Sequence, residues 1–136
     1  VRSRIIAAAL TGLAAATLAL GIPAQASAAT GGGCSNVNDG FINMSVCISA
    51  NGSYALPDLY INSIKTPCQS VQLQLWQYSP ERSSGPVLWS TGIPCKTGHY
   101  GPWHWPATSG YAYESVVDEY PVGYNLVQGF SPILHF

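Results

Sequence analysis

Three histidines and six Asp or Glu residues are the chain's whole stock of acid–base groups, and their spacing assembles no catalytic set. Nothing fits the nucleophile elbow Gly-x-Ser-x-Gly, so a Ser-His-Asp arrangement has no anchoring motif. Glu114 and Asp118 fall on one face of a strand-like segment. Four residues at about 3.3 Å each hold them about 13 Å apart, beyond the roughly 5–9.5 Å over which paired glycosidase carboxylates work. Asp118 and Glu119 are neighbours and therefore point to opposite faces. His99 and His104, if the segment between them is extended, lie about 16 Å apart on opposite faces, too far to share a metal. His135 stands alone. No Cys-x-x-Cys pair is present, which removes a common zinc spacing. The expectation is a protein with no catalytic residues, no metal and no cofactor.

What the chain offers instead is flat, neutral contact area. It has four Trp, eight Tyr and three Phe, concentrated in two groups. In the first, Gln72, Gln74, Trp76 and Tyr78 alternate with Val71, Leu73 and Leu75, so rings and amides share one strand face. In the second, Tyr100, Trp103, His104 and Trp105 occupy a Gly/Pro-rich connection. Rings beside amides can stack on a sugar and hydrogen-bond its hydroxyls. Tyr100, Trp103, Trp105, Trp76 and Tyr78 are therefore the candidate ligand-binding residues, set against the alternative that each group packs the core or its edge. A second functional class uses a different residue. Arg82, in the turn-rich stretch 79–85, suits an inhibitory loop entering the cleft of an extracellular hydrolase.

Charge narrows the partners. Only 8% of the 136 residues are charged, where about 25% is usual. Residues 1–26 read as a secretory signal peptide: Arg2 and Arg4, an uncharged run, Pro23, then Ala24-Gln25-Ala26, with cleavage after Ala26 or Ala28. That run is too short and too diluted by Gly and Thr for a stable membrane span. The remaining single domain, 27–136, keeps Lys65, Arg82 and Lys96 against six acids, a formal charge of −3. Nucleic acid and anionic membrane surfaces, which clustered Lys and Arg hold, are excluded as expected partners. A neutral glycan or an extracellular protein fits better, with the domain secreted and monomeric.

Four cysteines in an exported domain imply two disulfides. Three connectivities are available. The sequential one, Cys34–Cys47 and Cys68–Cys95, is favoured because each pair then brackets a turn-containing unit. Beyond residue 30 no window has helical apolar spacing, whereas 42–48, 59–63, 71–78, 87–91, 111–119 and 126–136 have strand character. Turn signals such as Asn51-Gly52, Thr66-Pro67, Ser109-Gly110 and Pro121-Val122-Gly123 separate them. Six or seven short strands predict an all-β domain, a two-sheet sandwich or small barrel.

The run Ser109-Gly110-Tyr111-Ala112-Tyr113-Glu114-Ser115-Val116-Val117, a turn, and then Ser131-Pro132 near a terminal strand resembles the last two strands of an immunoglobulin/fibronectin III-like β-sandwich. The resemblance implies that Tyr111 is the corner tyrosine tying its strand to the preceding loop. The layout is also similar to that of small exported actinobacterial proteins. Two other secreted groups differ in detail: enediyne-carrying apoproteins have closer cysteine spacings, and amylase inhibitors carry Trp-Arg-Tyr where this chain has Trp76-Gln77-Tyr78. No reactive-loop sequence of the subtilisin-inhibitor kind follows Cys68. A sandwich resemblance implies architecture and carries no activity with it.

Overall fold

The structure is a computed structural model that describes residues 28–79 and 85–136. The signal peptide expected at 1–26, its cleavage site after Ala26, and Glu81 and Arg82 lie outside the described residues. The described residues form eleven strands: β1 (Thr30–Gly31), β2 (Gly33–Asn38), β3 (Ile42–Asn51), β4 (Tyr54–Ile64), β5 (Cys68–Tyr78), β6 (Val87–Ile93), β7 (Gly98–Tyr100), β8 (Trp105–Pro106), β9 (Ala112–Pro121), β10 (Val127–Phe130) and β11 (Leu134–His135).

Alternation sorts them into two antiparallel sheets. The six-stranded sheet runs β1-β11-β9-β5-β6, with β10 also on β9; the five-stranded sheet runs β2-β3-β4-β7, with β8 also on β4. Ile42, Met44, Val46, Leu59 and Ile61 from the second sheet meet Val71, Leu73, Ile93 and Val117 from the first in one core cluster. Ile48, Ala55, Leu75, Tyr113 and Leu134 form the other. Each buried aliphatic chain of this kind stabilises by roughly 1.5–3 kcal/mol relative to exposure. The apolar parity of β3, β4, β5 and β9 therefore fixes which faces turn inward. A one-residue slip would expose the whole set.

Local chemistry fixes the register. Asn51 pairs with Tyr54, so the β3–β4 loop is two residues long. Gly52 supplies the positive φ (58°) that such a loop needs. The two disulfides are the sequential pair: Cys34–Cys47 lies across β2 and β3 at directly opposed positions, and Cys68–Cys95 ties the start of β5 to the chain leaving β6. In the chain-entropy account, loops of these lengths contribute about 3 and about 3.5 kcal/mol.

β10 and β11 are one strand interrupted at Ser131-Pro132. Across the break Ser131 N–H donates to Ser115 O (2.9 Å), and Ser115 N–H donates to Ser131 Oγ (3.0 Å), so the ladder on β9 stays satisfied. Near the start of β9 a buried phenol ties the strand to the loop before it. The residue is Tyr113 and not Tyr111: its hydroxyl accepts from Thr108 N–H (2.7 Å) and from Gln77 Nε2 (3.0 Å). Tyr111 is only part-buried at the margin of the second cluster, because it precedes strand β9, which begins at Ala112.

Candidate functional site

The outer face of the six-stranded sheet is built from three adjacent strands. Inward Val71, Leu73 and Leu75 turn Gln72, Gln74, Trp76 and Tyr78 of β5 outward. Across the ladder Gln72 is paired with Asp118, Gln74 with Val116, Trp76 with Glu114 and Tyr78 with Ala112. Beyond β9, Gln128 is paired with Asp118 and Phe130 with Val116. Val116 points outward yet is fully buried, enclosed in its row by Gln74 and Phe130.

Hydrogen bonds lock this face. Trp76 Nε1 donates to Gln74 Oε1 (2.6 Å), and Gln74 Nε2 donates to Asp118 Oδ2 (2.8 Å) and to Gln72 Oε1 (3.3 Å). Gln128 Nε2 completes the chain by donating to Asp118 Oδ1 (2.8 Å). Asp118 is thus a buried carboxylate satisfied by two amides and, among the described residues, by no cation. At the other end Tyr78 donates its hydroxyl to Glu114 Oε2. Burial first, then that bond and the Glu114 charge, hold the Tyr78 phenol well above its ordinary value, so it stays protonated. Trp76 lies 6.5 Å from both Tyr78 and Phe130, edge-on to the latter. The result is a ring cluster of fixed orientation. Phe130 is the most open member, at 41%. Lys65 and Lys96 lie in connections between strands.

The second aromatic group divides. Tyr100 pairs with inward-facing Leu59 and donates its hydroxyl to Lys96 O (2.8 Å). Trp103 packs on the first core cluster with its ring 5.1 Å from that of Trp89, and Trp105, opposite Ala55, packs on the second cluster. These three are partly buried and pack against the core clusters along one side. The two histidines face out. His99 stacks on Tyr60 (4.2 Å, 2°) with Nε2 2.7 Å from Asp58 Oδ1, and His104 lies edge-on to Tyr54 (6.0 Å). The Asp58 charge, ahead of burial and a hydrogen bond, raises the Tyr60 phenol.

Both histidines therefore sit on the same outer face, not on opposite ones. The chain between β7 and β8 turns at Gly101 (φ 110°), and the registers Tyr60 with His99 and Ala55 with Trp105 are offset by one residue. Their partners Tyr60 and Tyr54 are six residues apart on β4, about 20 Å at strand rise. Among the described residues no group of three or more His, Cys, Asp or Glu gathers as metal ligands.

Sequence parity placed Trp76 and Tyr78 together and missed their company. Glu114 and Asp118 were legible as one face of β9, but only the β5–β9 register brings them beside Tyr78 and Gln74. Gln128 and Phe130 sit at alternate positions of β10, a signal blurred by Gly129 and Pro132. No protein family, curated protein or solved structure matches this chain.

Proposed function

We propose that this protein is a secreted, non-catalytic binding module that takes a neutral, hydroxyl-rich ligand, a glycan of the cell envelope or surroundings, on the outer face of its six-stranded sheet. One observation carries the reading: the continuous hydrogen-bond chain from Trp76 through Gln74 and Asp118 to Gln128, which orders rings and amides before any ligand arrives. Pre-ordered groups lose little entropy on binding, which is what a shallow site needs. Glu114 and Asp118, with no cation bonded to either among the described residues, disfavour anionic polymers and leave neutral ones. Two disulfides are consistent with an oxidising, extracellular setting.

The fold supports a distant immunoglobulin/fibronectin III kinship in layers more than in connections. In favour stand the closing hairpin β9–β10/β11 and the Tyr113 corner. The difference is β4, joined to β3 by a two-residue loop and inserted next to it in the sheet.

Co-sedimentation with insoluble neutral polysaccharides tests the function. Wild-type protein and Trp103→Ala that remains folded are retained, whereas Trp76→Ala loses about tenfold or more in affinity, roughly 1.4 kcal/mol. Equal retention of Trp76→Ala and wild type would sink the proposal.

A further inference from the structure

The inner face of β9 ends on a carboxyl group inside the core. Glu119 is 1% exposed, and its ladder neighbours are Val71 of β5 and Val127 of β10. What faces it is a second carboxyl group, that of Asp39 in the turn between β2 and β3. Asp39 Oδ1 accepts from Phe41 N–H (2.8 Å) and Ile42 N–H (2.9 Å), which closes the turn and occupies that oxygen. Asp39 Oδ2 and Glu119 Oε2 are both buried, and no donor among the described residues reaches either. Two such carboxylates in contact would lose their hydration and repel each other; a single proton between them turns the contact into a hydrogen bond. The pair also bridges the layers, since Asp39 belongs to the five-stranded sheet and Glu119 to the six-stranded one. A ring contact, Phe41 to Tyr124 (4.4 Å), crosses the same end.

We propose that Asp39 and Glu119 share one proton, and that this proton is a clasp holding the two sheets together at the end formed by the β2–β3 turn and the loop 122–126. Its loss leaves two negative charges in contact and loosens that end. Burial first, then the charge and hydrogen bond of Asp39, push Glu119 up from 4.5 to about 7. The clasp's contribution is therefore fully present below about 4.5 and is lost as pH rises through about 7, where half the pairs have given up the proton. Among the described residues nothing else titratable faces the pair from the packed elements: β3 presents Ile42, β5 Val71 and β10 Val127. Asp118 and Tyr120 flank Glu119 on the opposite face, and Lys65 and Tyr124 are exposed.

The test follows the Glu119 carboxyl resonance in the full chain together with amide-exchange protection at 39–42 and 127–130, each against pH. The clasp predicts a Glu119 titration near neutrality. It also predicts protection at this end that falls by up to about tenfold per pH unit across the window and then levels off, with Tyr113 and Ser115 at the other end of β9 unaffected. Glu119→Gln keeps an amide hydrogen to donate to Asp39 and makes that protection independent of pH. Titration of wild-type Glu119 in the ordinary carboxylate range overturns the proposal even if the variant fails to fold. Recovery of protection at mildly alkaline pH on adding calcium alone also overturns it, because the pair would then be a cation site.

Discussion

Tyr113 shows how a single atom decides between packing and anchoring. Its ring is fully buried, 5.6 Å from Phe136, while its hydroxyl accepts two hydrogen bonds from Thr108 and Gln77. Tyr113→Phe keeps the shape and removes the acceptor, leaving two part-buried donors without it. Unfolding in urea should show a loss of about 1–3 kcal/mol at unchanged slope, since the surface exposed on unfolding is the same. Tyr111→Phe, which touches no such bond, should change stability by less than about 0.5 kcal/mol. Parity alone could not separate the two tyrosines, because Tyr111 and Tyr113 have the same parity and strand β9 begins only at Ala112. Glu119 makes a prediction of opposite sense to ordinary acid denaturation. Its value is raised in the fold, so the native state binds the extra proton between 4.5 and about 7. This group's contribution is lost as pH rises through that window, up to about 3 kcal/mol, and thermal melting should detect the fall.

At the scale of elements, the legible strands were those whose own residues alternate. Segments 42–48 and 71–78 needed no partner to be recognised, since their apolar residues recur at every second position. Strand β2 carries one apolar inward residue, Val37, and exists through its ladder with β3 and the Cys34–Cys47 bridge. The start of β4 was hidden by Pro57, a residue that argues against a strand interior. Pro57 is accommodated because it falls between the stretches paired with β7 and β8, where its carbonyl accepts from Trp103 N–H (3.1 Å). Gly129 read as an interruption and is a fitting. A Cβ there would meet Val37 Cγ2 at 2.5 Å and Val117 Cγ1 at 3.0 Å, so the bare backbone lets β10 approach β2. Gly129→Ala should destabilise by about 1–3 kcal/mol, visible as a lower denaturant midpoint.

At the scale of the whole molecule, the proposed preference for neutral partners rests on the scarcity of charge, and the two sheets give the scarcity a location. The five-stranded sheet turns an amide- and hydroxyl-rich face outward, with Asn62 Nδ2 donating to Asn43 Oδ1 and Ser45 Oγ (3.2 and 3.3 Å). The six-stranded sheet turns rings and amides outward around two carboxylates. A ligand held this way displaces no condensed counterions, so affinity should be nearly independent of salt between about 50 and 200 mM, unlike the steep loss seen for polyanion binders. Composition leads to the expectation of neutral partners; it does not separate Trp76 from Trp103, because the two differ only in what the folded sheets place around them. The four indole N–H resonances report that difference directly. During titration with soluble neutral oligosaccharides, the account predicts that the Trp76 resonance shifts and those of Trp89, Trp103 and Trp105 stay in place. Shifts confined to Trp103 and Trp105, or none with any neutral oligosaccharide, would contradict it.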